Sequence, residues 1–492
     1  MKKFLVVGGG TAGVIAATYL KHYYGDEVEI TLLYDHKVPR IGVGESTTPF
    51  IFTYLNYLGI SLEKLLRETN FTIKLGVKFK NWMNKNDVYW NNFSEIDYWG
   101  RDQDKYNLFY AYERLINEKG LNNYQFSSFF TENNLIPTVP NYVKALHLDT
   151  EELSEYILKN YSKGIKIIDD VIKEVKINEN GIEKIITEKN KELQYDFYFD
   201  ASGFNKILIS KLTNNFIDLS DTFILDSSIP FQIKKTKDYI PSSTLSEATK
   251  NGWIWETPLY NRFGSGYLYS SKTTNVEDAR KDFNNWLIKN HNVELDSDRI
   301  IKFKAGYYNE AWVKNCLSIG FSSGFIEPLE ATTLQVIIQQ VVNFTNIYSG
   351  KILEYDRKIF NLKNKNYFDS ILNYILFHYH TKRTDSDFWR CMKENMPDWI
   401  YELEEKVQHS ILNQYNTDNR HFSYNEHSAI FDGLELSKSE GSFEYLKISN
   451  FTEMAREYFL ELKEIKIKNM QNSIDHKQYL KNLKNENFIN KL

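Results

Sequence analysis

The amino-acid sequence predicts a mixed α/β protein, α+β overall, that ends in a helical lobe. Three observations lead to this fold class. A strand, a glycine-rich turn, a helix and a second strand follow one another within residues 1–34. Strand-like segments recur through the middle of the chain. From about residue 350 the composition shifts to Lys, Asn, Glu and Tyr in helical patterns.

Residues 1–34 predict one β-α-β unit. The segment KFLVV is a short apolar run typical of a buried parallel strand. Small and apolar residues follow at helical spacing over residues 14–24, and EVEITLLY over residues 27–34 predicts the second strand. The unit is the beginning of a Rossmann-type core.

The remaining elements follow in chain order. The patterns predict irregular aromatic-rich segments over 88–145, a helix over 149–160, short strands over 164–204, further strands over 223–271, and strand, loop and helix over 301–347. Asp149 and Thr150 are the candidate caps of the helix.

The change of composition near residue 350 divides the chain into two predicted domains. Residues 1–350 form the first domain, and residues 351–492 form a helical C-terminal lobe. The polar end of the chain, Lys477–Leu492, is expected to fray.

Charge and cysteine content exclude several classes of protein. The 492 residues include 60 Lys and Arg against 65 Asp and Glu, a net charge of −5, which argues against a general nucleic-acid binder. Two cysteines make neither a disulfide framework nor a cysteine metal site. The uncharged stretch from Phe4 to Leu20 resembles a short signal peptide, but its four glycines fit a strand–turn–helix better. We therefore expect a cytoplasmic protein without a membrane span.

The glycines after the first strand form a dinucleotide-binding fingerprint. Gly8, Gly10 and Gly13 have the G-x-G-x-x-G spacing, with Thr11 and Ala12 between them. Gly8 permits the tight turn, Gly10 the approach of a pyrophosphate, and Gly13 close packing of helix on strand. The acid that binds a ribose is expected at the end of the second strand, where Asp35 follows Tyr34. The motif alone does not distinguish FAD from NAD.

Further motifs carry a resemblance to a known family. They are GGGTAG (8–13), IGVGESTTP (41–49), FTIKLGVKFKNW (71–82), FDASGF (199–204), GWIWETP (252–258), IGFSSGFIEPLEATT (319–333) and HYHTKRTDSDFW (378–389). With these segments the chain resembles the flavin-dependent halogenases of the tryptophan-halogenase family. The resemblance implies an FAD-binding core, with an antiparallel sheet for the substrate and a helical lobe.

The resemblance also implies how FAD is bound. It assigns FAD to residues of about 1–70, 150–215 and 300–350. In addition to the fingerprint, it implies a strap that covers the flavin and is formed by Gly42, Val43, Gly44 and Glu45. It also implies that two further glycines, Gly203 and Gly320, bind FAD.

Lys74 and Glu330 are the catalytic residues that the resemblance implies. Alternation along residues 72–80 places several lysines on one strand face, and the simplest interpretation of that pattern is a solvated surface. The resemblance selects Lys74, which would receive hypohalous acid by a hydrogen bond or as a haloamine. Glu330 would assist the substitution of the aromatic ring. A plain helix-terminal acid is the alternative for Glu330, and Glu327 fits that alternative equally well.

The halide and gate positions also follow from the resemblance. Backbone N–H groups at Thr332 and Thr333, before a helix expected at about 334–347, would bind the halide. Trp253 and Trp255 lie two apart on a strand and so face the same way. Residue types alone favour a core aromatic pair there, whereas the resemblance implies a steric barrier between flavin and substrate.

The predicted activity is an FADH2- and O2-dependent halogenation of an electron-rich aromatic substrate. A separate NAD(P)H-dependent flavin reductase would supply FADH2, and chloride or bromide, with iodide as a further candidate, would be the halide. In family members that act on free tryptophan, a histidine helps to clamp the indole, and no histidine of the 88–110 region aligns with it, which argues against free tryptophan. A larger indole, a phenol or a pyrrole fits equally well. An FAD-dependent hydroxylase and a non-catalytic flavoprotein are the alternatives. The spacing of His378 and His380 suggests a metal at first sight, but we expect none. Homo-oligomerisation stays open.

Overall fold

The computed structural model describes most of the chain, in ten stretches: residues 1–38, 44–83, 86–93, 111–112, 115, 126–139, 142–410, 422, 424–436 and 439–485. These residues form two compact units, each made of three segments. The first unit comprises residues 1–69, 148–220 and 303–369, and the second comprises residues 70–147, 221–302 and 370–492.

Strands occur throughout the chain up to residue 325, and one lies close to the C-terminus. In chain order they are β1 (Lys2–Val7), β2 (Val28–Tyr34), β3 (Glu45–Ser46), β4 (Thr72–Lys74), β5 (Gly76–Lys80), β6 (Val88–Asn92), β7 (Leu135–Pro137), β8 (Ala145–Leu148), β9 (Lys166–Asp169), β10 (Ile172–Asn178), β11 (Gly181–Thr187), β12 (Glu192–Leu193), β13 (Phe197–Asp200), β14 (Phe216–Asp218), β15 (Ser227–Lys234), β16 (Ser243–Ala248), β17 (Gly252–Pro258), β18 (Arg262–Tyr269), β19 (Ile301–Lys302), β20 (Gly306–Tyr308), β21 (Trp312–Val313), β22 (Cys316–Ser318), β23 (Gly324–Phe325) and β24 (Ser473–Asp475).

Helices dominate the last third of the chain, as the composition predicts. In chain order they are α1 (Thr11–Tyr24), α2 (Ile51–Tyr57), α3 (Leu62–Glu68), α4 (Phe126–Glu132), α5 (Thr150–Tyr161), α6 (Val276–His291), α7 (Thr333–Ile347), α8 (Glu354–Tyr379), α9 (Asp387–Glu394), α10 (Asp398–His409), α11 (Tyr424–Gly433), α12 (Ser439–Ser449), α13 (Thr452–Gln471) and α14 (His476–Lys484). Asp149 caps α5, because its side chain accepts hydrogen bonds from two backbone amides of the first turn. No helix in these ranges is long and apolar enough to cross a membrane.

The first unit is built on a mostly parallel sheet. Its strand order is β21-β22-β13-β1-β2-β9, parallel throughout except for the pairing of β21 with β22. The strand β1 is fully buried from Phe4 to Val6, as expected for a strand that is covered on both faces. The helix α1 connects β1 to β2 and packs against α5 and α7. The β-α-β unit predicted for residues 1–34 is therefore confirmed.

The second unit is built on a mostly antiparallel sheet. Its strand order is β19-β15-β18-β17-β16-β5-β6, and only β16 and β5 pair in parallel. The helix α6 covers one face, where Phe283 and Leu287 pack with Ile254 and Tyr267. Since side chains alternate along a strand, Trp253 and Trp255 point to the other face.

Residues 71–82 differ from the single alternating strand that the sequence suggests. They form two strands, β4 and β5, which belong to different sheets and are separated at Leu75. The amide of Leu75 donates to the carbonyl of Ser242 at 2.7 Å. Lys74 is fully buried, whereas Lys78 and Lys80 are partly exposed, so the alternative interpretation of a solvated lysine face does not hold for Lys74.

The end of the chain is ordered further than expected. Instead of fraying from residue 477, it forms the helix α14, in which His476 and Leu480 are fully buried. The side chain of Asp475 caps this helix by accepting from the amide of Gln478. The expectation of a frayed tail is wrong up to residue 485, and residues 486–492 lie outside the described part.

The predicted fold class is confirmed, since a parallel core, an antiparallel sheet and C-terminal helices are all present. The three segments of the first unit lie close to the ranges expected to bind FAD. The second unit contains both the antiparallel sheet and residues 370–492. A domain boundary near residue 350 stays a prediction.

Candidate functional site

The glycine turn between β1 and α1 is shaped by close backbone packing. Gly8 has a φ of +122°, and a Cβ there would lie 2.2 Å from the carbonyl oxygen of Ala201. A Cβ on Gly13 would lie 1.8 Å from the carbonyl oxygen of Gly8. At Gly10 a Cβ would meet no described atom within 4 Å. Packing thus requires glycine at the first and third positions, and leaves the middle position open to a ligand.

The beginning of α1 fits an anion. Thr11 and Ala12 are its first residues, its first turn contains no acidic residue, and no side chain caps it. The first N–H groups of a helix have no acceptor within the helix, and they are positioned to bind phosphate.

Thr11 is connected to Glu45 through Thr150. The Thr11 hydroxyl donates to the Thr150 carbonyl at 3.4 Å, and the Thr150 hydroxyl donates to Oε1 of Glu45 at 3.1 Å. Burial raises the pKa of Glu45 to about 7, although the hydrogen bond from Thr150 lowers it in part. Thr11 of the fingerprint and Glu45 of the strap are therefore connected by two successive hydrogen bonds.

Two further predicted glycines lie beside the fingerprint. Gly320 has a φ of +62°, and a Cβ there would lie 3.0 Å from the Cβ of Ala12. Its amide donates to Oε1 of Gln340 in α7 at 2.9 Å. Gly203 has a φ of +69°, and its carbonyl accepts from the Ser322 hydroxyl at 3.0 Å. The structure brings these segments together within the first unit.

A buried carboxylate organises the turn before Gly203. Asp200 is fully buried, and it accepts hydrogen bonds from the amides of Ser202, Leu208 and Ile209 and from the hydroxyls of Ser202 and Ser322. A buried charge requires such partners. Gly203 was predicted from the sequence and Asp200 was not, although an acid at the end of a buried strand was a usable signal.

The position after β2 holds an acid, as predicted. Asp35 follows Tyr34 directly, and its Oδ1 accepts from the amide of Lys37 at 2.9 Å. Gly42 and Val43 lie outside the described residues, while the neighbouring Gly44 has a φ of +97°.

Candidate metal ligands are few in the described part of the chain. Asp35, His36 and Asp169 lie together near the surface, where acidic groups are common without an ion. His378 and His380 bind different partners: Nδ1 of His378 is 3.0 Å from Oη of Tyr89, and Nε2 of His380 is 2.7 Å from a carboxylate oxygen of Glu404. The absence of a metal stays a prediction.

The segment before α7 has an unusual backbone. Glu330 and Ala331 have φ values of +63° and +58°, which non-glycine residues rarely adopt. Thr332 is the N-cap of α7 and Thr333 its first residue, and the first turn contains no acid. Glu330 itself is 7% exposed and precedes the helix. Free helix amides after a left-handed turn are a geometry in which proteins bind anions.

The two tryptophans lie side by side on β17. Their ring centroids are 6.3 Å apart, and Trp253 is also 6.4 Å from Trp82. The ring of Trp255 covers Gly266 on β18, where a Cβ would lie 2.0 Å from it. Trp253 is 2% exposed, and its indole N–H has no hydrogen-bond acceptor among the described residues.

Lys74 ends the short strand β4 in the second unit. It is fully buried, and its Nζ lies 5.1 Å from the ring centroid of Phe93. Lys78 lies 4.8 Å from the ring centroid of Trp90, and burial lowers its pKa. Lys74, Trp253 and Trp255 thus belong to the second unit, and the cofactor and halide residues to the first.

Together, the parallel sheet, the glycine turn with an open middle position and the uncapped helix N-terminus fit a dinucleotide. These features define a dinucleotide-binding enzyme core.

The chain belongs to the tryptophan halogenase family, whose model matches residues 3–442. It is a flavin-dependent halogenase, an enzyme that uses FAD, and the resemblance stated from the motifs is confirmed.

Several relatives and solved structures are similar to this chain. Tryptophan 7-halogenase RebH of Lentzea aerocolonigenes is 30% identical over 80% of this chain and 79% of its own. Tryptophan 6-halogenase ThaL of Streptomyces albogriseolus is 30% identical over the same shares. The crystal structure of a tryptophan halogenase from Shewanella frigidimarina has a TM-score of 0.87 at 24% identity, covering 99% of this chain and 98% of the other. The last likeness shows the shared fold.

Proposed function

We propose that this protein makes hypohalous acid from chloride or bromide and transfers the halogen through Lys74 to an indole of the tryptophan type. The complete burial of Lys74 against Phe93 carries the proposal. Because lysine is among the residues least often fully buried, a buried lysine at this position of the family's motif supports a functional role. The names of the curated relatives support tryptophan as the type of substrate.

FAD would be held by the first unit. Gly8, Gly10 and Gly13 and the N-terminus of α1 would bind its pyrophosphate, and Asp35 a ribose. Gly203 and Gly320 would let the backbone approach the flavin closely, and the strap at 42–45 would cover it. Reduced FAD supplies the electrons, so that FADH2, O2, a halide ion and a proton give FAD, water and hypohalous acid.

The halide would be bound by the backbone amides of Thr332 and Thr333. Both lie at the beginning of α7, whose positive end has no carboxylate in its first turn. Glu330 and Ala331, which directly precede Thr332, have left-handed φ values although neither residue is a glycine. Non-glycine residues in this conformation cluster at ligand sites, which supports an anion site here.

The tryptophan pair would separate an organic substrate from the flavin. Their bulk supports this role, because the ring of Trp255 lies against Gly266 and the ring of Trp253 lies near that of Trp82. The indole N–H of Trp253 is available to donate a hydrogen bond to a small polar molecule that moves past the ring. A buried donor without an acceptor costs about 1–3 kcal/mol, which a passing oxidant would offset.

Lys74 and Glu330 would complete the substitution. Lys74 holds the electrophilic halogen, by hydrogen bond or as a haloamine, next to the aromatic carbon that is attacked. In the hydrogen-bonded form, the carbon–halogen bond forms as the oxygen–halogen bond breaks, the Lys74 ammonium gives the proton that turns the leaving hydroxide into water, and Glu330 takes the proton of the ring. Burial keeps the electrophile away from bulk water.

The partners of the reaction follow from its chemistry. We infer a separate NAD(P)H-dependent flavin reductase as the source of FADH2, and a cytoplasmic location fits that supply.

Product mass spectrometry tests the proposal. The protein would be incubated with FAD, a flavin reductase, NADH, O2 and chloride or bromide, over tryptophan, larger indoles, phenols and pyrroles. Lys74→Ala is expected to lower halogenated product by a factor of about 100 or more while binding FAD normally. Lys78→Ala, which removes another lysine stacked on an aromatic ring, is the matched control and is expected to keep most activity. A product heavier by one oxygen instead of a halogen would contradict the proposal and favour the hydroxylase.

A further inference from the structure

The strand that carries Lys74 is short. β4 has three residues and pairs with β8, so that Thr72 is opposite His147 and Lys74 is opposite Ala145. Residues two apart on a strand, and residues directly opposite on an antiparallel neighbour, point to the same face. The side chains of Thr72, Lys74 and His147 therefore share one face of this pair of strands.

His147 is held at both ring nitrogens. The hydroxyl of Thr72 donates its one proton to the carbonyl of Pro258 at 2.6 Å, so its oxygen accepts from Nδ1 of His147 at 3.1 Å. Nε2 is then the acceptor, and it lies 3.0 Å from Oγ1 of Thr244. Burial, together with the charge of Lys74, lowers the pKa of His147 well below 6.5. The imidazole is thus neutral, in the tautomer protonated at Nδ1.

These hydrogen bonds reach the strand of the tryptophan pair. Pro258 is the last residue of β17, which carries Trp253 and Trp255. Thr244 lies on the neighbouring β16. The imidazole of His147, on β8, therefore connects Thr72 of β4 with Thr244 of β16, and Thr72 itself bonds the end of β17. Together these two side chains fix the lysine strand relative to the strands of the antiparallel sheet.

A second buried imidazole binds the backbone of the same strand. The amide of Ile73 donates to Nε2 of His476 at 3.1 Å, and Nδ1 of His476 donates to the carbonyl of Ile240 at 3.2 Å. Burial lowers the pKa of His476 to about 4, so Nε2 remains an acceptor at neutral pH. His476 is the first residue of α14, the helix that occupies the first part of the segment predicted to fray from Lys477 onward.

We propose that His147 and His476 are positioning residues for Lys74, and that the C-terminal segment 473–484 is part of the halogenating apparatus. The inference rests on the proposed function of Lys74. Neither histidine would touch the substrate or the oxidant; each would hold the strand from which the lysine projects. Because a displacement of about 1 Å can cost a factor of about 100 in rate, a loosened strand would release oxidant instead of transferring it.

The test measures how the oxidised halogen is divided between halogenated product and hypohalous acid released into solution. Halogenated product, and hypohalous acid trapped in solution by monochlorodimedone, would be measured per O2 consumed. His147→Phe and His476→Phe are expected to lower product per O2 by a factor of about 10 to 100 and to raise trapped hypohalous acid. FAD affinity should not change. His147→Gln and His476→Gln, which keep a donor and an acceptor, are expected to recover product to within about threefold of wild type.

Two further variants separate positioning from stability. Thr72→Val preserves the shape of the side chain and removes the hydroxyl between His147 and Pro258, so it is expected to release oxidant even where the Phe variants fail to fold. His291→Gln alters another buried imidazole of the same unit, bound to Glu256 at 2.6 Å, and is expected to keep the wild-type ratio. An unchanged ratio in Thr72→Val and in the folded Phe variants would overturn the inference alone. A wild-type protein that makes neither product nor hypohalous acid would overturn the proposed function.

Discussion

The cofactor region and the lysine region of this protein are held in place by different means. The glycine turn of the first unit is shaped by close backbone contacts, one of them within the motif itself, where Gly13 approaches Gly8, and one between Gly8 and Ala201. The strand of Lys74 depends on side chains from far along the chain: His147 is 75 residues from Thr72, and His476 is 403 residues from Ile73. A contiguous motif can specify the first arrangement, whereas only the tertiary fold can specify the second.

The largest effect is expected at the glycine turn, where two alanine variants should behave differently. Gly13→Ala places a Cβ 1.8 Å from a backbone oxygen, so α1 must move, and we expect loss of FAD binding together with a clear loss of stability. Gly10→Ala meets no described atom within 4 Å and should fold normally. If its methyl group meets the pyrophosphate, FAD affinity should fall by about tenfold, an effect of about 1.4 kcal/mol.

Thermal unfolding without FAD and fluorescence titration with FAD measure the two effects separately. A Gly10→Ala protein with wild-type FAD affinity would show that the pyrophosphate does not approach this glycine.

The next largest effect is expected at Trp253 in the second unit. Trp253→Phe keeps an aromatic ring but removes the indole N–H that has no acceptor among the described residues. Because a single hydrogen bond is worth about 0.5–1.5 kcal/mol, we expect product per O2 to fall by a factor of about 3 to 10. Trp255→Phe is the matched control, and it should have a smaller effect. Equal losses in both variants would show that only the bulk of the rings matters.

The contrast between the regions also explains what the sequence could reveal. The turn at Gly8–Gly13, the helix after Thr332 and the alternation of Trp253 and Trp255 were predictable, because each depends on local spacing. Asp200 was overlooked beside its glycine, although the acid stood in a recognised segment. His147 and His476 could not be found, because nothing local in the sequence indicates that they meet the strand of Lys74.

In the first unit, ionisation of Glu45 is expected to make the stability of the protein depend on pH. Its pKa of about 7 in the folded protein exceeds the ordinary value of 4.5, so between these pH values the folded state binds more protons than the unfolded state. Stability therefore falls as the pH rises through this window. Glu45→Gln cannot ionise, so we expect the melting temperature of the FAD-free variant to change less between pH 5 and pH 8, roughly the window of this titration.

The control for this experiment is an exposed acid. Glu192→Gln removes a carboxylate whose pKa is lowered by Lys184, so it is already ionised throughout the window. It should leave the pH dependence of melting as in wild type. A Glu45→Gln protein with the wild-type slope would show that Glu45 is ionised at pH 5 and above.

The smallest effect concerns the left-handed backbone before α7. Ala331 has a φ of +58°, a conformation that costs a residue with a Cβ about 1–2 kcal/mol and that glycine adopts freely. Ala331→Gly should therefore raise the melting temperature by about 1–2 °C. Thr332→Gly, one residue later at a φ of −76°, should lower it, because glycine loses more conformational freedom there. If the conformation at Ala331 serves the halide site, Ala331→Gly should leave the halide dependence of product formation unchanged, since the same backbone is kept. A lower melting temperature for Ala331→Gly would show that the segment is not left-handed in solution, and would remove the main support for an anion site at the beginning of α7.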